Sequence, residues 1–279
     1  MIELKKSKKK LSREDKNKNI VLLCLLCSLI FLLIILSIKE LFLGNYYKIE
    51  PRNDNINKMK SKNTDEYKVY GWIRVQGTDI DYPLIGFKSN NSSLPDNISK
   101  YAWLMQGDYK FHNVINIMGH NFMNLSSKPY LHDDNFDRFE EIMDFVYYDF
   151  AKDNKYIQLT MDGKDYLYKI FASGFIDNYD YNTLPYNEYS KDEIKKYLDI
   201  IKDNSIYKYD VNIKENDSFI TLATCTRFNS SMDDDFYIAG RLVRNNEHIT
   251  NYSVHKNKKY EKIEKKLKGV DVDDKEEDA

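Results

Sequence analysis

The sequence predicts a mostly β fold, an antiparallel barrel or sandwich of seven or eight short strands with helical additions, preceded by one transmembrane helix. Short runs of strand-forming residues, separated by turn and loop composition, fill residues 67–245. One strongly periodic helix occurs late in that region, so strands and helices do not alternate as they do in a parallel sheet. One long apolar run lies near the N-terminus.

The apolar run, residues 20–38, contains no charged side chain. As a helix it would extend about 28 Å, close to the roughly 30 Å of a bilayer's hydrocarbon core. A cleaved signal peptide is the alternative, but the run is long and no A-x-A pattern follows it. Eight basic against three acidic residues precede it. The positive-inside rule therefore keeps residues 1–19 in the cytoplasm, makes 20–42 the membrane helix and places the rest of the chain outside the cell membrane.

The charged and polar stretches on either side of the folded region predict its limits. Residues 43–66 are polar and are predicted to form a juxtamembrane spacer, and residues 246–279 are charged and are predicted to be a disordered tail. The folded domain is expected at residues 67–245. The basic N-terminal arm has no interleaved aromatic residues, so nucleic acid is not an expected partner.

Within the domain, strand patterns precede one clear helix. The Asp162-Gly163 pair between two alternating runs predicts a type I′ hairpin over residues 156–170. Ser190 and Glu193 form a capping box, and apolar residues at helical spacing predict a helix over residues 190–203. The remaining predicted strands are residues 69–75, 80–85, 114–118, 145–150, 171–176, 219–224 and 236–243, with a short helix near 135–143.

Three cysteines occur in the chain, and two of them, Cys24 and Cys27, lie in the membrane run. Cys225 is the only cysteine in the external portion, so it has no partner for an intrachain disulfide. It is either a buried structural thiol or a nucleophile. A nucleophilic thiol needs a basic partner, because a free cysteine with a pKa of about 8.5 carries little thiolate at neutral pH.

His120 is the preferred partner for Cys225, because it follows the short strand 114–118 after a glycine, just as Cys225 ends a strand. The alternative for His120 is a structural histidine. The other four histidines lie before that strand, on a loop or in the tail: His112, His132, His248 and His255. No metal-ligand spacing and no glycine-rich phosphate loop occurs outside the membrane run, so neither a metal nor a cofactor is expected.

These residues resemble a known family. The run TLATC, ending at Cys225, with FYIAGRLV after a loop, is similar to the sortase signature, and NIMGHNF around His120 is similar to the sortase histidine motif. VYGWIRVQGTDIDYPLI, residues 69–85, resembles the opening strands of class B sortases, and the helix 190–203 resembles the extra helix of that class. The likeness covers residues 67–245 and implies a closed sortase-like β-barrel of about eight strands.

The resemblance implies a cysteine transpeptidase anchored in the cell membrane, with Cys225 and His120 as its catalytic residues. The family's substrates are exported proteins with a C-terminal sorting motif, of NPxT type in class B. The cysteine attacks the carbonyl of the motif's Thr, the histidine handles the amine protons, and an amine of the cell-wall peptide receives the acyl group. No metal or cofactor takes part in this step.

One position departs from the family pattern. Sortases carry an arginine at the start of the last strand, where alignment of FYIAGRLV places Asp235. Arg241 and Arg244 are too far along the strand to replace it, at about 3.3 Å per residue. Arg227, two residues after the cysteine, is the candidate replacement, and an exposed loop arginine is the alternative. Two other functions therefore stay open: a degenerate sortase-like module that binds without turnover, and a cysteine hydrolase.

Overall fold

The computed structural model describes residues 13–43, 47–63, 67–87, 101–105, 109–121, 139–177, 188–226, 228 and 234–268. These residues belong to two compact units, one built on an N-terminal helix and the other on a β-barrel. The N-terminal helix, α1, extends over Arg13–Leu43. Its stretch Asn17–Ile35 is long and apolar enough to cross a membrane.

Eight strands of the second unit close into a barrel in the order β1-β2-β3-β4-β8-β9-β6-β5. The closure is made by β5, which pairs with β1 as well as with β6. The pairs β2–β3 and β4–β8 are parallel and the other pairs are antiparallel. The barrel strands are β1 Tyr67–Val75, β2 Asp81–Phe87, β3 Ala102–Leu104, β4 Val114–Met118, β5 Tyr156–Met161, β6 Lys164–Asp177, β8 Phe219–Thr226 and β9 Asp234–Leu242.

The remaining elements pack on the barrel. Two short strands, β7 Tyr207–Tyr209 and β10 Val254–Lys256, pair antiparallel with each other in a separate sheet. The helices are α2 Asn53–Lys60, a 3₁₀ helix Phe139–Val146, α3 Tyr148–Asp153, α4 Lys191–Asp203 and α5 Lys258–Leu267. The predicted fold, a closed sortase-like barrel of about eight strands with helical additions, is confirmed.

Local signals in the sequence placed the hairpin and the main helix correctly. Asp162 and Gly163 have φ of 51° and 75°, and positive φ at both central residues is what a type I′ turn requires. The Ser190 side chain accepts from the Glu193 N–H, and the Glu193 carboxylate accepts from the Ser190 N–H, so the capping box exists at the start of α4.

Alternation along β4, β8 and β9 separates two cores. One set of side chains, including Ile117, Leu222 and Ile238, packs in the barrel interior. The alternate set, including Ala223 and Tyr237, lies outside the barrel against α4, where Tyr197 donates to or accepts from the Thr221 hydroxyl at 2.7 Å. These two faces decide which residues can meet at the strand ends.

Residues 145–150, predicted as a strand, are instead the end of the 3₁₀ helix and the start of α3. Phe139, Ile142 and Phe145 are spaced by three residues and are fully buried. A 3₁₀ helix places residues i and i+3 on one line, so this spacing buries all three side chains on one face. The aromatic run that suggested a strand serves this helical packing.

The predicted spacer and tail both contain structure that packs on the barrel. In the spacer, Ile56 of α2 is buried, and Arg52 donates to Asp81 from Nε at 3.0 Å and from Nη2 at 2.7 Å. In the tail, which was predicted to be disordered, β10 and α5 are ordered, and Tyr260 and Ile263 are buried. The tail prediction was wrong for residues 254–268, because apolar side chains at helical spacing are hidden among its many charges.

Candidate active site

The ends of β4 and β8 bring His120 and Cys225 to the same rim of the barrel. The two strands are parallel neighbours, and Met118 pairs with Ala223 at the end of the ladder. Beyond this pair, His120 follows the end of β4 and Cys225 lies near the end of β8, so both are at the same rim although 105 positions separate them in the chain. Neighbouring strands lie about 4.8 Å apart. Cys225 is two residues after Ala223 in one strand, so its side chain is on the same face as that of Ala223.

Three hydrogen bonds tie the two strand ends together. The Gly119 N–H donates to the Ala223 carbonyl at 3.2 Å, and the Thr224 hydroxyl donates to the Gly119 carbonyl at 2.7 Å. One step further, the Asn121 amide donates to the Cys225 carbonyl at 2.8 Å. Gly119 is required here, because a Cβ at this position would overlap the ring of Phe139.

His120 is half-buried against an aromatic ring. The edge of its imidazole meets Trp103 of β3 with 4.9 Å between ring centroids. Burial lowers the pKa of His120 from its ordinary value of 6.5. The imidazole is therefore mainly neutral at neutral pH, with one nitrogen able to accept a proton.

Cys225 is half-buried, and a carboxylate lies opposite it. Asp235 of β9 pairs with Cys225 in the antiparallel ladder and is only 1% exposed. Burial raises the pKa of the Cys225 thiol above its ordinary value of 9.0, and the charge of Asp235 raises it further. Both shifts, on the thiol and on the imidazole, favour the neutral thiol and neutral imidazole over the ion pair.

Comparison with known proteins identifies this architecture. No protein-family model matches the chain. The curated protein Sortase B of Staphylococcus aureus (strain NCTC 8325 / PS 47) is 21% identical over 183 residues, which cover 63% of this chain and 70% of that protein. A mutant form of Clostridium perfringens sortase B superposes with a TM-score of 0.56 at 23% identity, covering 68% of this chain and 87% of that one. The chain therefore has the fold of class B sortases and is similar in sequence to one of them.

Two further sortase structures share the fold. Staphylococcus aureus sortase B has a TM-score of 0.53 at 18% identity, covering 70% of this chain and 88% of that chain. Sortase B from the type II pilus of Streptococcus pneumoniae has a TM-score of 0.50 at 24% identity, covering 66% and 96%. At these identities the structures establish the common barrel only, and the chemistry must be argued from the residues of this chain.

The arginines that the structure describes near the end of β9 have partners far from Cys225. Arg241 pairs with Phe219 at the other end of β8 from Cys225, is 1% exposed and donates to Glu247 at 2.8 Å. Arg244 donates to Asp217 from Nε at 2.7 Å. The prediction that both are too distant to serve Cys225 is therefore confirmed. Arg227 lies outside the described residues.

Two of the other histidines, His112 and His255, lie beside acidic residues outside this rim. His112 is buried, and its Nδ1 is 3.1 Å from a Glu188 carboxylate oxygen. His255 in the tail is 3.2 Å from Asp210. His132 is outside the described residues. Within the described part of the chain, no group of three His, Cys, Asp or Glu side chains is arranged to hold a metal.

Sequence reasoning missed the residues that hold the pair in place. Asn121 directly follows His120, and a polar residue at a strand end next to a candidate base is a signal that could have been used. Thr224 was seen only as part of the signature. Trp103 had no local signal, because its contact with His120 comes from the short strand β3 pairing with β4.

Proposed function

We propose that this protein is a class B sortase, a membrane-anchored cysteine transpeptidase that joins exported proteins to the cell wall. The observation that supports the proposal is the rim where the parallel strands β4 and β8 end, because His120 follows β4 and Cys225 lies near the end of β8. A thiol and an imidazole are the minimum needed for nucleophilic acyl transfer.

The reaction follows from the two side chains. The sulfur of Cys225 bonds to the carbonyl carbon of the Thr in a sorting motif of NPxT type. The peptide C–N bond then breaks, and His120 gives its proton to the departing amine. In the second half, His120 takes a proton from an incoming amine, which attacks the thioester and releases Cys225.

The pKa shifts of Cys225 and His120 fit a site in which both side chains are neutral before substrate binds. Burial and Asp235 hold Cys225 as a thiol, and burial holds His120 neutral. Transfer of the proton from sulfur to imidazole creates the thiolate that attacks and the acid that the leaving amine requires. A thiol kept protonated outside the cell membrane also reacts more slowly with oxidants.

The acceptor in our proposal is an amine of the peptidoglycan peptide. A sortase B has been crystallised as a complex with triglycine, and Staphylococcus aureus sortase B as a substrate complex. A peptide amine of the triglycine kind is the chemistry we assign to the second substrate here. The sorting motif enters as the acyl donor.

For location and domain organisation, we propose that residues 20–42 anchor the enzyme in the cell membrane. The basic residues 1–19 remain in the cytoplasm and the catalytic domain, which includes residues 67–245, lies outside. The apolar stretch Asn17–Ile35 supports the anchor by its length and composition.

A second candidate function, a module that binds sorting motifs without turnover, is favoured by Asp235. A buried carboxylate opposite the nucleophile opposes the negative charge that develops on the substrate oxygen, where the family has an arginine. Arg227 is our proposed replacement for that arginine. These two residues therefore decide between the enzyme and the binding module.

The test uses the full chain in detergent micelles with Cys24→Ser and Cys27→Ser, so that Cys225 is the one thiol. An NPxT-type peptide is added with and without triglycine, and intact mass is recorded. Cys225→Ala, His120→Ala and Arg227→Ala are run beside His248→Ala, a matched control because that histidine is exposed and precedes β10.

A thioester adduct and a triglycine-dependent product, lost in Cys225→Ala and His120→Ala but kept in His248→Ala, would establish the transpeptidase. Loss in Arg227→Ala as well would assign that residue the family arginine's role. Formation of the same cleavage product at the same rate with and without triglycine would indicate a hydrolase. Peptide binding by a folded protein that never forms an adduct would refute the enzyme and support the binding module.

A further inference from the structure

The C-terminal segment, residues 254–267, is built into the catalytic domain. Its strand β10 pairs with β7, with Val254 opposite Tyr209 and Lys256 opposite Tyr207. Its helix α5 begins at an Asn257 cap whose side chain accepts from the Tyr260 N–H. Together, strand pairing, a capped helix and buried side chains make this segment a folded element with a defined position.

The segment touches the chain just after the nucleophile, through Phe228. This ring lies three residues beyond Cys225, is 1% exposed, and stacks on Phe175 with 5.6 Å between centroids. Its N–H donates to the Thr226 hydroxyl at 3.1 Å. From α5, the Lys266 ammonium lies over the Phe228 ring, 5.1 Å from its centroid. A cation over an aromatic face is an attractive contact.

The same segment also contacts the layer that supports His120. The Tyr148 hydroxyl donates to the Val254 carbonyl at 3.0 Å, and the Lys256 ammonium lies 4.9 Å from the Tyr148 ring centroid. Tyr207, the partner of Lys256 in the sheet, donates from its hydroxyl to the Val146 carbonyl at 2.6 Å. Tyr148 and Val146 flank the junction of α3 and the 3₁₀ helix.

That 3₁₀ helix in turn meets the end of β4. Its Phe139 ring fills the space beside Gly119, and its Met143 sulfur accepts from the Asn121 amide at 3.4 Å. Asn121 is the residue whose amide also holds the Cys225 carbonyl. Two chains of contact therefore run from the C-terminal segment, one to Phe228 after Cys225 and the other to Gly119 and Asn121 on either side of His120 in the sequence.

We propose that the C-terminal segment is a brace that positions the catalytic pair, with Phe228 and Lys266 as positioning residues for Cys225. The proposal rests on the transpeptidase function above. Without the brace, the turn after Cys225 would lose the contact that fixes Phe228, and the thiol would sample positions from which it cannot attack. A displacement of about 1 Å at a reacting atom can cost on the order of 100-fold in rate.

The test compares Lys266→Met and Phe228→Leu with Lys265→Met in the full chain, with Cys24→Ser and Cys27→Ser. Lys265 is the matched control, because it lies next to Lys266 on α5 and is exposed, while Lys266 is half-buried over Phe228. Methionine keeps the length of the lysine side chain and removes its charge. Three quantities are measured: kcat and KM for the peptide, the rate of Cys225 alkylation by iodoacetamide, and Tm.

We expect kcat/KM to fall about threefold in Lys266→Met, the size of one cation–π contact, and about tenfold in Phe228→Leu. The alkylation rate should change in the same two variants, while Lys265→Met matches wild type in all three quantities. If Lys266→Met and Phe228→Leu lower Tm but leave kinetics and alkylation at wild-type values well below Tm, the brace only stabilises the fold and the proposal is wrong.

Failure of the proposed function looks different. If wild type never acylates, the alkylation rate still reports the position of Cys225, because iodoacetamide needs no sorting motif. A changed alkylation rate in Phe228→Leu and Lys266→Met would then support the brace proposal, while the absence of acylation would reject the transpeptidase proposal. An unchanged rate would reject the brace independently.

Discussion

Asn121 is expected to be essential for activity although it does no chemistry. Its amide donates to the Cys225 carbonyl at 2.8 Å and to the Met143 sulfur at 3.4 Å. Among the residues that the structure describes, the last main-chain bond between β4 and β8 is donated by Gly119 to Ala223. Beyond that point the link between the strands passes through the side chains of Thr224 and Asn121, so Asn121→Ala should release the nucleophile from β4.

The stability cost of Asn121→Ala should be small. The neutral hydrogen bond to the Cys225 carbonyl contributes about 1 kcal/mol net, and the longer bond to the weakly accepting Met143 sulfur adds less. For a domain of roughly 200 residues, a loss of about 1 kcal/mol lowers Tm by about 2–4 °C. Nearly all of the protein remains folded after such a loss. The effect on rate should be larger, because a displacement of about 1 Å at the sulfur costs on the order of 100-fold in kcat/KM. We therefore expect a fall of about 10- to 100-fold.

The measurement is peptide turnover beside thermal unfolding, with Asn204→Ala as the control. Asn204 also donates one amide hydrogen bond, to the Ile200 carbonyl at 3.1 Å, but it does so at the end of α4. Both variants should lose similar stability, and only Asn121→Ala should lose activity. If Asn121→Ala retains wild-type kcat/KM, or if both variants lose activity equally, the positioning argument is refuted.

Three further predictions concern charge. Asp235→Asn should lower the pKa of the Cys225 thiol, because it removes the carboxylate that adds to the effect of burial. Alkylation of Cys225 at pH 8 should therefore accelerate, and an unchanged pH profile of alkylation would contradict this. The pH profile of kcat/KM should have its acid limb below pH 6.5, because burial lowers the pKa of His120. Its alkaline limb should lie above pH 9.0, because burial and then Asp235 raise the pKa of Cys225. Limbs between pH 6.5 and 9.0 would count against these two residues as the catalytic pair. Glu247→Gln should cost roughly 3 kcal/mol at pH 7, because Arg241 stays buried and loses its partner. Burial alone would raise the pKa of Glu247, but hydrogen bonds from Arg241 and then Lys169 hold it well below 4.5, so this stability is present above pH 4.5 and disappears on acidification, which urea unfolding at pH 7 and pH 3 would measure.

Features that depend on neighbouring residues in the chain could be predicted from the sequence. The Asp162-Gly163 turn needs positive φ at two positions, and the Ser190 cap needs an acceptor three residues from its partner. Both conditions are satisfied within a few residues of the chain, so these two features depend little on tertiary packing. The barrel followed because such local strand signals recur along residues 67–245.

Features that depend on distant partners could not be predicted. The strand β7 has only three residues and exists because β10 pairs with it, and β10 lies in a region whose charge suggested disorder. The helix α5 buries Tyr260 and Ile263 on one face and leaves lysines on the other. The average composition of the segment does not reveal such a face. Two buried apolar side chains are enough to dock this helix on the rest of the domain.

The candidate site divides in the same way. A motif identified Cys225 and His120 as candidates, but their neighbourhood comes from the register of β4 on β8, which no local signal contains. The register also shows where Asp235 lies relative to Cys225. From the sequence alone, Asp235 is only a departure from a family pattern. In the barrel it is a carboxylate 1% exposed, directly opposite the thiol and on the same face.

That position changes the electrostatics expected at the site. An arginine there would favour the thiolate, whereas Asp235 favours the thiol, so in the proposed reaction Cys225 needs another way to become reactive. The imidazole of His120, kept neutral by burial beside Trp103, is the available acceptor for the thiol's proton. Attack then depends on how accurately the two side chains are held together, and the contacts of Asn121 and Phe228 are therefore expected to matter more here than in a sortase whose thiolate is stabilised by a neighbouring positive charge.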